Sequence, residues 1–275
     1  AGLRVEIDRI GNIYGIWEPA GAQGDALVIG SHIDTVIDAG IYDGCYGVLS
    51  GLAVIEAMQA HGLTPGCPVV VVAYTNEEGV RYTPDMMGSL VAAGGLAVEE
   101  ALRAVGTDGT TLGDELARIG YAGNREPGFL RPSAYLELHI EQGPVLEAEG
   151  AALGAVESLQ GISWQRVRIG GVANHAGTTP MTMRKDAGVA AARVVSSLDG
   201  MARAMQGSVA TVGTIRFEPN AINVIPSSAT FTVDLRNPDE QRLQALEKGL
   251  DELLEDARAG GFEVVGYGGE LPGES

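Results

Sequence analysis

ALVIGSHID (26–34) predicts a buried strand of an α/β sheet, because it is an apolar run that ends in polar side chains. It is followed by GVLSGLAVIEAMQAHG (47–62), which predicts an apolar-rich helix ending at Gly62, and by PVVVVAYTNEE (68–78), a second buried strand. Farther along, AYLELHIEQG (134–143) predicts a strand that runs into a loop. This alternation of strands and helices favours an α/β sandwich around a largely parallel sheet.

Two further segments belong to the same predicted domain. Residues 3–17 alternate in the manner of strands, and Gly11-Asn12 predicts a hairpin turn between them. Residues 94–119 predict two short helices. We therefore expect a first domain over residues 1–161.

The pattern changes after Gly161, where strands and helices follow in the order βαββαβ. The predicted strands are 162–171, 209–217, 228–236 and 262–267, and the predicted helices are 183–198 and 240–260. This order is the ferredoxin-like split motif, and about 100 residues are enough for a domain of that kind. We expect a smaller domain over residues 162–267, with residues 268–275 starting a return to the first domain.

The overall composition argues against several classes of protein. A net charge of −18 over 275 residues makes a nucleic-acid partner unexpected, because phosphate binding needs a basic surface. No apolar run reaches the ~18 residues of a membrane span, and the start AGLRVEIDRIGN lacks the pattern of a signal peptide. Cys45 and Cys67 do not make a disulfide framework, so a reduced, cytoplasmic setting is expected.

Four short polar strings lie at or near the ends of the predicted first-domain strands, where open α/β sheets place their sites. The strings are SHIDT (31–35), DG (43–44), NEEG (76–79) and HIEQG (139–143). Together they supply two imidazoles and several carboxylates, a donor set that suits zinc, manganese or cobalt. Each string alone fits a turn, a strand end or a buried histidine equally well, so only their combination indicates a metal site.

The spacing within these strings has physical reasons. Asp34 can accept a hydrogen bond from the His32 nitrogen that does not bind metal, which would fix the tautomer and raise ligand basicity. Asp43 comes just before the predicted helix, where a carboxylate can bridge two metal ions. Glu77 and Glu78 end a strand and point in opposite directions, so one can bind metal while the other faces the substrate as a base.

These strings, with others, resemble the hydantoinase/carbamoylase branch of the dinuclear-zinc aminoacylase and carboxypeptidase superfamily. The matching strings are SHIDTV, DGCYGV, TNEEGVRY, GSL, HIEQGPVLE, ANHAGTTPM, NAINVIP and VDLRNPD. They extend from residue 8 to about residue 240, and HIEQGPVLE and ANHAGTTPM are specific to this branch. The resemblance implies a metallopeptidase-like α/β/α catalytic domain and a smaller ferredoxin-like lid domain through which two copies pair as a homodimer.

The resemblance also implies two divalent metal ions and a role for each matching residue. One ion is bound by His32, Asp43 and His139. Asp43 bridges to the second ion, which Glu78 also binds, and Glu77 is the general base that takes a proton from water.

Four further residues are implied to contact the substrate. Gln142 follows the histidine ligand and lines the pocket. In the smaller domain, the resemblance assigns to His175, Asn223 and Arg236 the binding of the substrate carboxylate and of the developing oxyanion. Arginine suits this role because its planar guanidinium binds a carboxylate in bidentate fashion.

One family feature is missing from this sequence. The resemblance places a histidine ligand of the second metal in a glycine-rich string near the end of the family's chains. The four histidines here are His32, His61, His139 and His175, and none follows. We therefore expect either a fragment that lacks both ends of the family's chain or a second metal site that is incomplete.

The implied reaction is hydrolysis of a linear amide or ureido C–N bond, with an N-carbamoyl-L-amino acid giving the L-amino acid, CO2 and ammonia. Allantoate, ureidoglycolate and β-ureidopropionate also carry a ureido group near a carboxylate, so the motifs do not separate these substrates. A dinuclear aminopeptidase or aminoacylase is a second alternative, which HIEQGP disfavours. A third is a non-catalytic, truncated fragment that pairs through the smaller domain. Coding sequence beyond Ser275 that carried a histidine in a glycine-rich segment would argue against the third.

Overall fold

A computed structural model describes residues 2–38 and 40–268 of the chain. The chain divides into two compact units, Ala1–Ala152 and Leu153–Ser275. Within the described residues, no helix is both long enough and apolar enough to cross a membrane.

The first unit is built on a five-stranded mixed sheet. Its strands are β1 (Arg4–Ile7), β2 (Ile13–Trp17), β3 (Ala26–His32), β4 (Val69–Tyr74) and β5 (Pro132–Leu136), in the spatial order β1-β2-β4-β3-β5. The strand β3 is parallel to both β4 and β5, so these three strands end at the same edge of the sheet. The hairpin predicted at Gly11-Asn12 is confirmed, because Ile7 pairs with Ile13 in antiparallel register. This short turn reverses the chain, and β2 is also antiparallel to β4, so the sheet is mixed rather than largely parallel.

Five helices accompany this sheet in the part of the first unit that the structure describes. They are α1 (Cys45–Ala60), α2 (Met87–Ala92), α3 (Val98–Leu102), α4 (Leu112–Ile119) and α5 (Val145–Glu149). The predicted helix α1 lies close to the sheet, because a Cβ on Gly51 would be only 3.0 Å from Val71 Cγ2. The sequence did not indicate α2, which follows the left-handed residue Met86 (φ 49°) and has no side-chain cap to mark its start.

The second unit is an antiparallel sheet with two long helices. Its elements are β6 (Gly161–Gly170), α6 (Ala187–Ala204), β7 (Val209–Thr211), β8 (Ile215–Glu218), β9 (Ser228–Asn237), α7 (Glu240–Ala259) and β10 (Glu263–Gly268). The sheet order is β10-β6-β9-β7, and β8 also pairs with β9. The helix α7 buries leucines at three- and four-residue spacing, Leu243, Leu246, Leu250 and Leu254, in one core with Phe231 of β9.

Two elements of this unit have other bounds than predicted, and the helix predicted over 183–198 spans Ala187–Ala204. The strand predicted over 209–217 is divided at Gly213, where Thr214 N donates to Thr232 Oγ1 at 3.1 Å. The first long helix begins at Ala187 rather than at 183, because Asp186 Oδ1 caps it by accepting from the backbone amide of Gly188 at 2.9 Å. Of the predicted return segment 268–275, only Gly268 belongs to the described residues.

Candidate metal centre

The carboxyl ends of three parallel strands bring the predicted ligands of the first unit together. His32 is the last residue of β3, the Glu77-Glu78 pair follows β4, and His139 follows β5. Asp43 lies between β3 and α1, next to the start of that helix. The polar strings therefore meet where an open α/β sheet normally places a site.

Glycines at the start of α1 allow Asp43 to approach the strand ends closely. Gly44 has φ 64°, and a Cβ on it would lie 2.5 Å from the His32 ring atoms Cε1 and Nδ1. A Cβ on Gly47 would lie 2.8 Å from Ser31 Cβ and 2.6 Å from the carbonyl oxygen of Leu138. The beginning of α1 can pack against both strand ends only because these side chains are absent.

The hydrogen bonds of the two histidines leave the same ring nitrogen available on each. His32 is 2% exposed, and its Nδ1 lies 2.8 Å from the carbonyl oxygen of Asp34. His139 Nδ1 lies 2.9 Å from the carbonyl oxygen of Ile140. A carbonyl oxygen can only accept, so Nδ1 carries the hydrogen in both rings. In the neutral imidazoles the lone pair is then on Nε2, the atom that would bind a metal ion.

Asp43 is held between His139 and Gln142. Its carboxylate is 5% exposed, and Oδ1 lies 3.2 Å from His139 Nε2. Gln142 Nε2 lies 3.0 Å from each of the two carboxylate oxygens, as their hydrogen-bond donor. Gln142 has a left-handed backbone (φ 54°), which turns the chain after His139. Asp43 is therefore oriented by a neutral amide, and its negative charge has no cationic Lys or Arg partner among its hydrogen bonds in the described part of the chain.

The carboxylates of Glu77 and Glu78 also lie close to His32. Glu77 Oε2 lies 3.4 Å from His32 Nε2. Desolvation raises the pKa of Glu77, and the neighbouring carboxylate of Glu78 raises it further, although His32 acts in the opposite direction. Desolvation and the nearby carboxylate of Asp43 likewise raise the pKa of Glu78. Negative charges that repel one another in this way favour binding of a cation.

These side chains fit a divalent metal ion. Two groups of potential ligand atoms occur among residues 2–38 and 40–268, and within each group the atoms lie within 4.8 Å of one another. The groups are His32, Asp43 and His139, and His32, Glu77 and Glu78. In addition, Glu78 Oε1 is buried without a hydrogen-bond partner. A buried carboxylate oxygen needs a partner, and a bound cation would supply it.

Asp34 contacts the site in a way that differs from the predicted one. The backbone carbonyl oxygen of Asp34 is the hydrogen-bond partner of His32 Nδ1, at 2.8 Å. The carboxylate oxygen Oδ1 of Asp34 is 3.7 Å from the same nitrogen, which is too far for a hydrogen bond. The carboxylate oxygen Oδ2 instead accepts from the backbone amide of Glu78 at 3.0 Å. Asp34 thus connects the end of β3 to the loop that carries the two glutamates.

In the second unit, His175 and Asn223 lie on neighbouring loop segments. Ala176 N donates to the carbonyl oxygen of Asn223 at 2.9 Å, and His175 forms an isolated antiparallel bridge with Val224. His175 Nδ1 accepts from the backbone amide of Gly177 at 3.0 Å, so Nε2 carries the hydrogen in the neutral ring. The side chain of His175 is exposed and can donate from Nε2.

Arg236 lies at the other end of β9. The strand β9 is paired with β6 without interruption from Ser228 to Arg236, so it is extended over this whole stretch. Eight residues of extended strand separate its first residue from Arg236 by about 26 Å. Arg236 donates from Nε to Asp234 Oδ1 at 2.9 Å and from Nη2 to Asp234 Oδ2 at 2.8 Å, and this carboxylate raises the pKa of the guanidinium. The second unit therefore brings His175 and Asn223 together but keeps Arg236 apart from them.

The comparisons with known proteins agree on one family. A model of Peptidase family M20/M25/M40 matches residues 28–266. An N-carbamoyl-L-amino-acid amidohydrolase from Rhizobium meliloti is 42% identical over 254 residues, which cover 91% of this chain and 61% of that protein. A probable allantoate deiminase from Oryza sativa subsp. japonica is 38% identical over 280 residues, covering 92% of this chain and 57% of that protein. The chain thus spans about three fifths of the length of these curated relatives.

Solved structures show the same relationship. A crystal structure of a hydantoinase/carbamoylase family amidase from Burkholderia multivorans has a TM-score of 0.93 and 40% identity. The match covers 97% of this chain and 66% of that one. A second amidase of the same description, from Burkholderia ambifaria, has a TM-score of 0.92, also at 40% identity, and the match covers 98% of this chain and 67% of that one.

Proposed function

The chain belongs to Peptidase family M20/M25/M40, and from this membership we propose that it carries the metal centre of an amidohydrolase that cleaves a linear amide or ureido C–N bond. The proposed substrate is an N-carbamoyl-L-amino acid, which would give the L-amino acid, CO2 and ammonia. The observation that carries the proposal is the convergence of His32, Asp43 and His139 beside the Glu77-Glu78 pair. The names of the relatives, which include both N-carbamoyl-L-amino-acid amidohydrolases and allantoate deiminases, support this reaction class.

The proposed cofactor is a pair of divalent ions, zinc, manganese or cobalt. His32, Asp43 and His139 would hold the first ion, and Asp43 and Glu78 would hold the second. This assignment is supported by the Nε2 lone pairs of the two histidines and by the unpartnered Oε1 of Glu78. Within the described residues, the second set contains carboxylates only, so it is the weaker of the two for zinc.

The proposed chemistry assigns the proton transfers to Glu77. A divalent ion in such a site lowers the pKa of a bound water and polarises a carbonyl group. Glu77 then takes a proton from the attacking water and later delivers it to the leaving nitrogen. Glu77 suits this transfer because its carboxylate lies beside the proposed metal ligand His32, with Oε2 3.4 Å from His32 Nε2. Gln142 keeps Asp43 in its bridging orientation through two hydrogen bonds.

Substrate binding is proposed for His175, Asn223 and Arg236, with Gln142 lining the pocket. The first two can donate hydrogen bonds to an oxyanion, and Arg236 can bind a carboxylate in bidentate fashion. In one copy of the second unit, however, Arg236 and the pair His175 and Asn223 lie at opposite ends of β9. A small substrate cannot contact both from a single copy.

We therefore also propose that residues 162–267 form a ferredoxin-like lid and dimerisation domain. Pairing of two copies about a two-fold axis would allow Arg236 of one copy and His175 and Asn223 of the other to meet at one substrate. The sheet order β10-β6-β9-β7 leaves edge strands available for such pairing. The proposed compartment is the cytoplasm, in keeping with the two free cysteines Cys45 and Cys67.

The reaction is tested by ammonia release from a panel of substrates. The full-length protein, loaded in turn with zinc, manganese or cobalt, is given N-carbamoyl-L-amino acids, allantoate, ureidoglycolate and β-ureidopropionate. N-acetyl amino acids and dipeptides, assayed for amino-acid release, test the aminoacylase and peptidase alternatives. We expect the highest kcat/KM on N-carbamoyl-L-amino acids. A preference for allantoate would replace the substrate but keep the reaction class, whereas a preference for dipeptides would overturn the proposal.

The dimer is tested by complementation. His175→Ala and Arg236→Ala proteins are each expected to have little activity alone. When the two are mixed and re-associated, half of the dimers are mixed, and one of the two sites in each mixed dimer is intact, so about a quarter of the wild-type activity should return. No recovery, with mixed dimers demonstrated by differential tags, would mean that Arg236 and His175 do not act across the dimer at one substrate, and would overturn this pairing.

A further inference from the structure

The turn between β1 and β2 contains two fully buried polar residues. Asp8 and Asn12 are both 0% exposed. The Asp8 carboxylate accepts from the backbone amides of Ile10 at 3.2 Å and Asn12 at 2.9 Å, from Asn12 Nδ2 at 2.9 Å and from Tyr14 Oη at 3.1 Å. These four bonds satisfy the carboxylate and fix the Asn12 amide group with Nδ2 towards Asp8.

The fixed amide group of Asn12 joins two distant backbone segments. Its Oδ1 accepts from Thr75 N at 2.9 Å, and its Nδ2 donates to the carbonyl oxygen of Gly88 at 2.9 Å. The two segments also bond each other, because Gly88 N donates to the carbonyl oxygen of Thr75 at 2.8 Å. A Cβ on Gly88 would lie 2.3 Å from Asn12 Oδ1 and 2.5 Å from Thr75 N. The close approach of these three residues therefore requires glycine at position 88.

The segment held by Asn12 leads directly to the glutamate pair. Asn76 has a left-handed backbone (φ 52°), and its Nδ2 donates to the carbonyl oxygens of Tyr82 at 2.8 Å and Pro84 at 3.2 Å. The next residue, Glu77, accepts from Met86 N at 2.6 Å through its carbonyl oxygen. The backbone direction from which the Glu77 and Glu78 side chains leave is thus set by the contacts of residues 75–77 with residues 82–88.

We propose that Asn12 is a positioning residue for Glu77 and Glu78. Its amide group connects Thr75 to Gly88 and so fixes the backbone that presents the two carboxylates towards His32 and Asp43. The roles of Glu77 and Glu78 rest on the proposed function. Within the described part of the chain, the side-chain hydrogen bonds of Asn12 go to Asp8, Thr75 and Gly88 and to neither glutamate, so Asn12 acts on the pair through other residues.

A purely structural role for Asn12 is the alternative, and Tyr14→Phe is the matched control. Tyr14→Phe removes one hydrogen bond to the buried Asp8 carboxylate but leaves the bonds from Asn12 to Thr75 and Gly88 intact. Asn12→Ala removes both of those bonds. Urea midpoints of the two variants measure how far each destabilises the fold, so that effects on the site can be compared at known stability.

The test is a Co²⁺ titration of the full-length protein, followed by absorption, together with steady-state kinetics. The wild-type protein should bind one Co²⁺ firmly and a second, through Asp43 and Glu78, more weakly, so the titration is carried to a Co²⁺ excess that fills both sites. In Asn12→Ala we expect this weaker second Co²⁺ to bind ~10–100-fold more weakly still while the first is unchanged, the usual scale for residues that orient ligands. We expect kcat of the cobalt-saturated variant to fall ~10-fold or more, with KM within ~2-fold. Tyr14→Phe should change neither affinity nor kcat by more than ~2-fold.

Two results would overturn the proposal. One is equal loss of affinity for both Co²⁺ equivalents in Asn12→Ala, and the other is the same change in both variants. If Asn12→Ala does not fold, Gly88→Ala takes its place, because the added Cβ would lie 2.3 Å from Asn12 Oδ1 and 2.5 Å from Thr75 N and so disturbs the same contact. It should show the same selective loss. If the wild-type protein hydrolyses no ureido substrate but Asn12→Ala still weakens only the second Co²⁺, the proposed function fails and the positioning role stands.

Discussion

Gly44→Ala tests whether the packing of the Asp43 turn against His32 is what builds the metal centre. Gly44 has φ 64°, and the added Cβ would lie 2.5 Å from the His32 ring. With φ 64° and ψ −49°, Gly44 lies outside the left-handed helical region, in a backbone conformation that costs an alanine roughly 1–3 kcal/mol, and the contact with the ring must in addition be relieved by moving His32 or Asp43. Either movement separates two ligands of the first metal ion. We expect the affinity for zinc to fall by ~10–100-fold, the scale seen when metal ligands lose their orientation.

Gly62→Ala is the matched control for this change. Gly62 also has a positive φ (67°), but a Cβ there would have no heavy atom within 4 Å. Urea unfolding of the metal-free proteins measures how much stability each variant loses, so that zinc affinity can be compared at known stability. Zinc affinity, measured by competition with a chromogenic chelator, should fall only in Gly44→Ala. If both variants bind zinc as tightly as the wild type, the close packing of Gly44 on His32 does not shape the site.

Two other predictions separate the roles of the remaining residues. Glu77→Gln should keep its metal and lose turnover by ~10²-fold or more, as expected for a general base, whereas Glu78→Gln should lose the second, more weakly bound ion. A metal titration with kinetics would show whether the two roles are reversed. Arg236→Lys should mainly raise KM for substrates that carry a carboxylate, because lysine keeps the charge but loses the planar pair of donors. Arg236 presents such a pair to Asp234 in this structure. An unchanged KM would mean that Arg236 does not contact the substrate.

The convergence of the ligands in the first unit could be predicted because it depends on a general property of parallel strands. The strands β3 and β4 were indicated by apolar runs followed by polar residues and β5 by the segment AYLELHIEQG, and parallel strands end at one edge. The hairpin at Gly11-Asn12 and the helix after Asp43 followed from turn and periodicity signals. Those features are local in sequence.

Features that depend on long-range contacts could not be predicted in the same way. The sequence indicates Asn12 only as a turn residue, although its amide group bonds residues 63 and 76 positions away. The carboxylate of Asp34 was expected to hold His32, but it binds the amide of Glu78, 44 positions later. The interruption at Gly213 has only a weak signal in the sequence, because the apolar pattern continues through this glycine. The contact of Thr214 with Thr232, which accompanies the break, lies 18 positions along the chain.

Measuring the number of metal ions bound per chain tests whether His32, Asp43 and His139 form a metal centre. The 275-residue chain is loaded with zinc, dialysed exhaustively and analysed for metal per chain. Two imidazoles and a carboxylate plus water make a complete zinc site, whereas Asp43 and Glu78 alone make a poor one, so we predict about one firmly bound ion per chain. A chain that retains no zinc would contradict the claim, and one that firmly retains two ions would mean that another residue completes the second site.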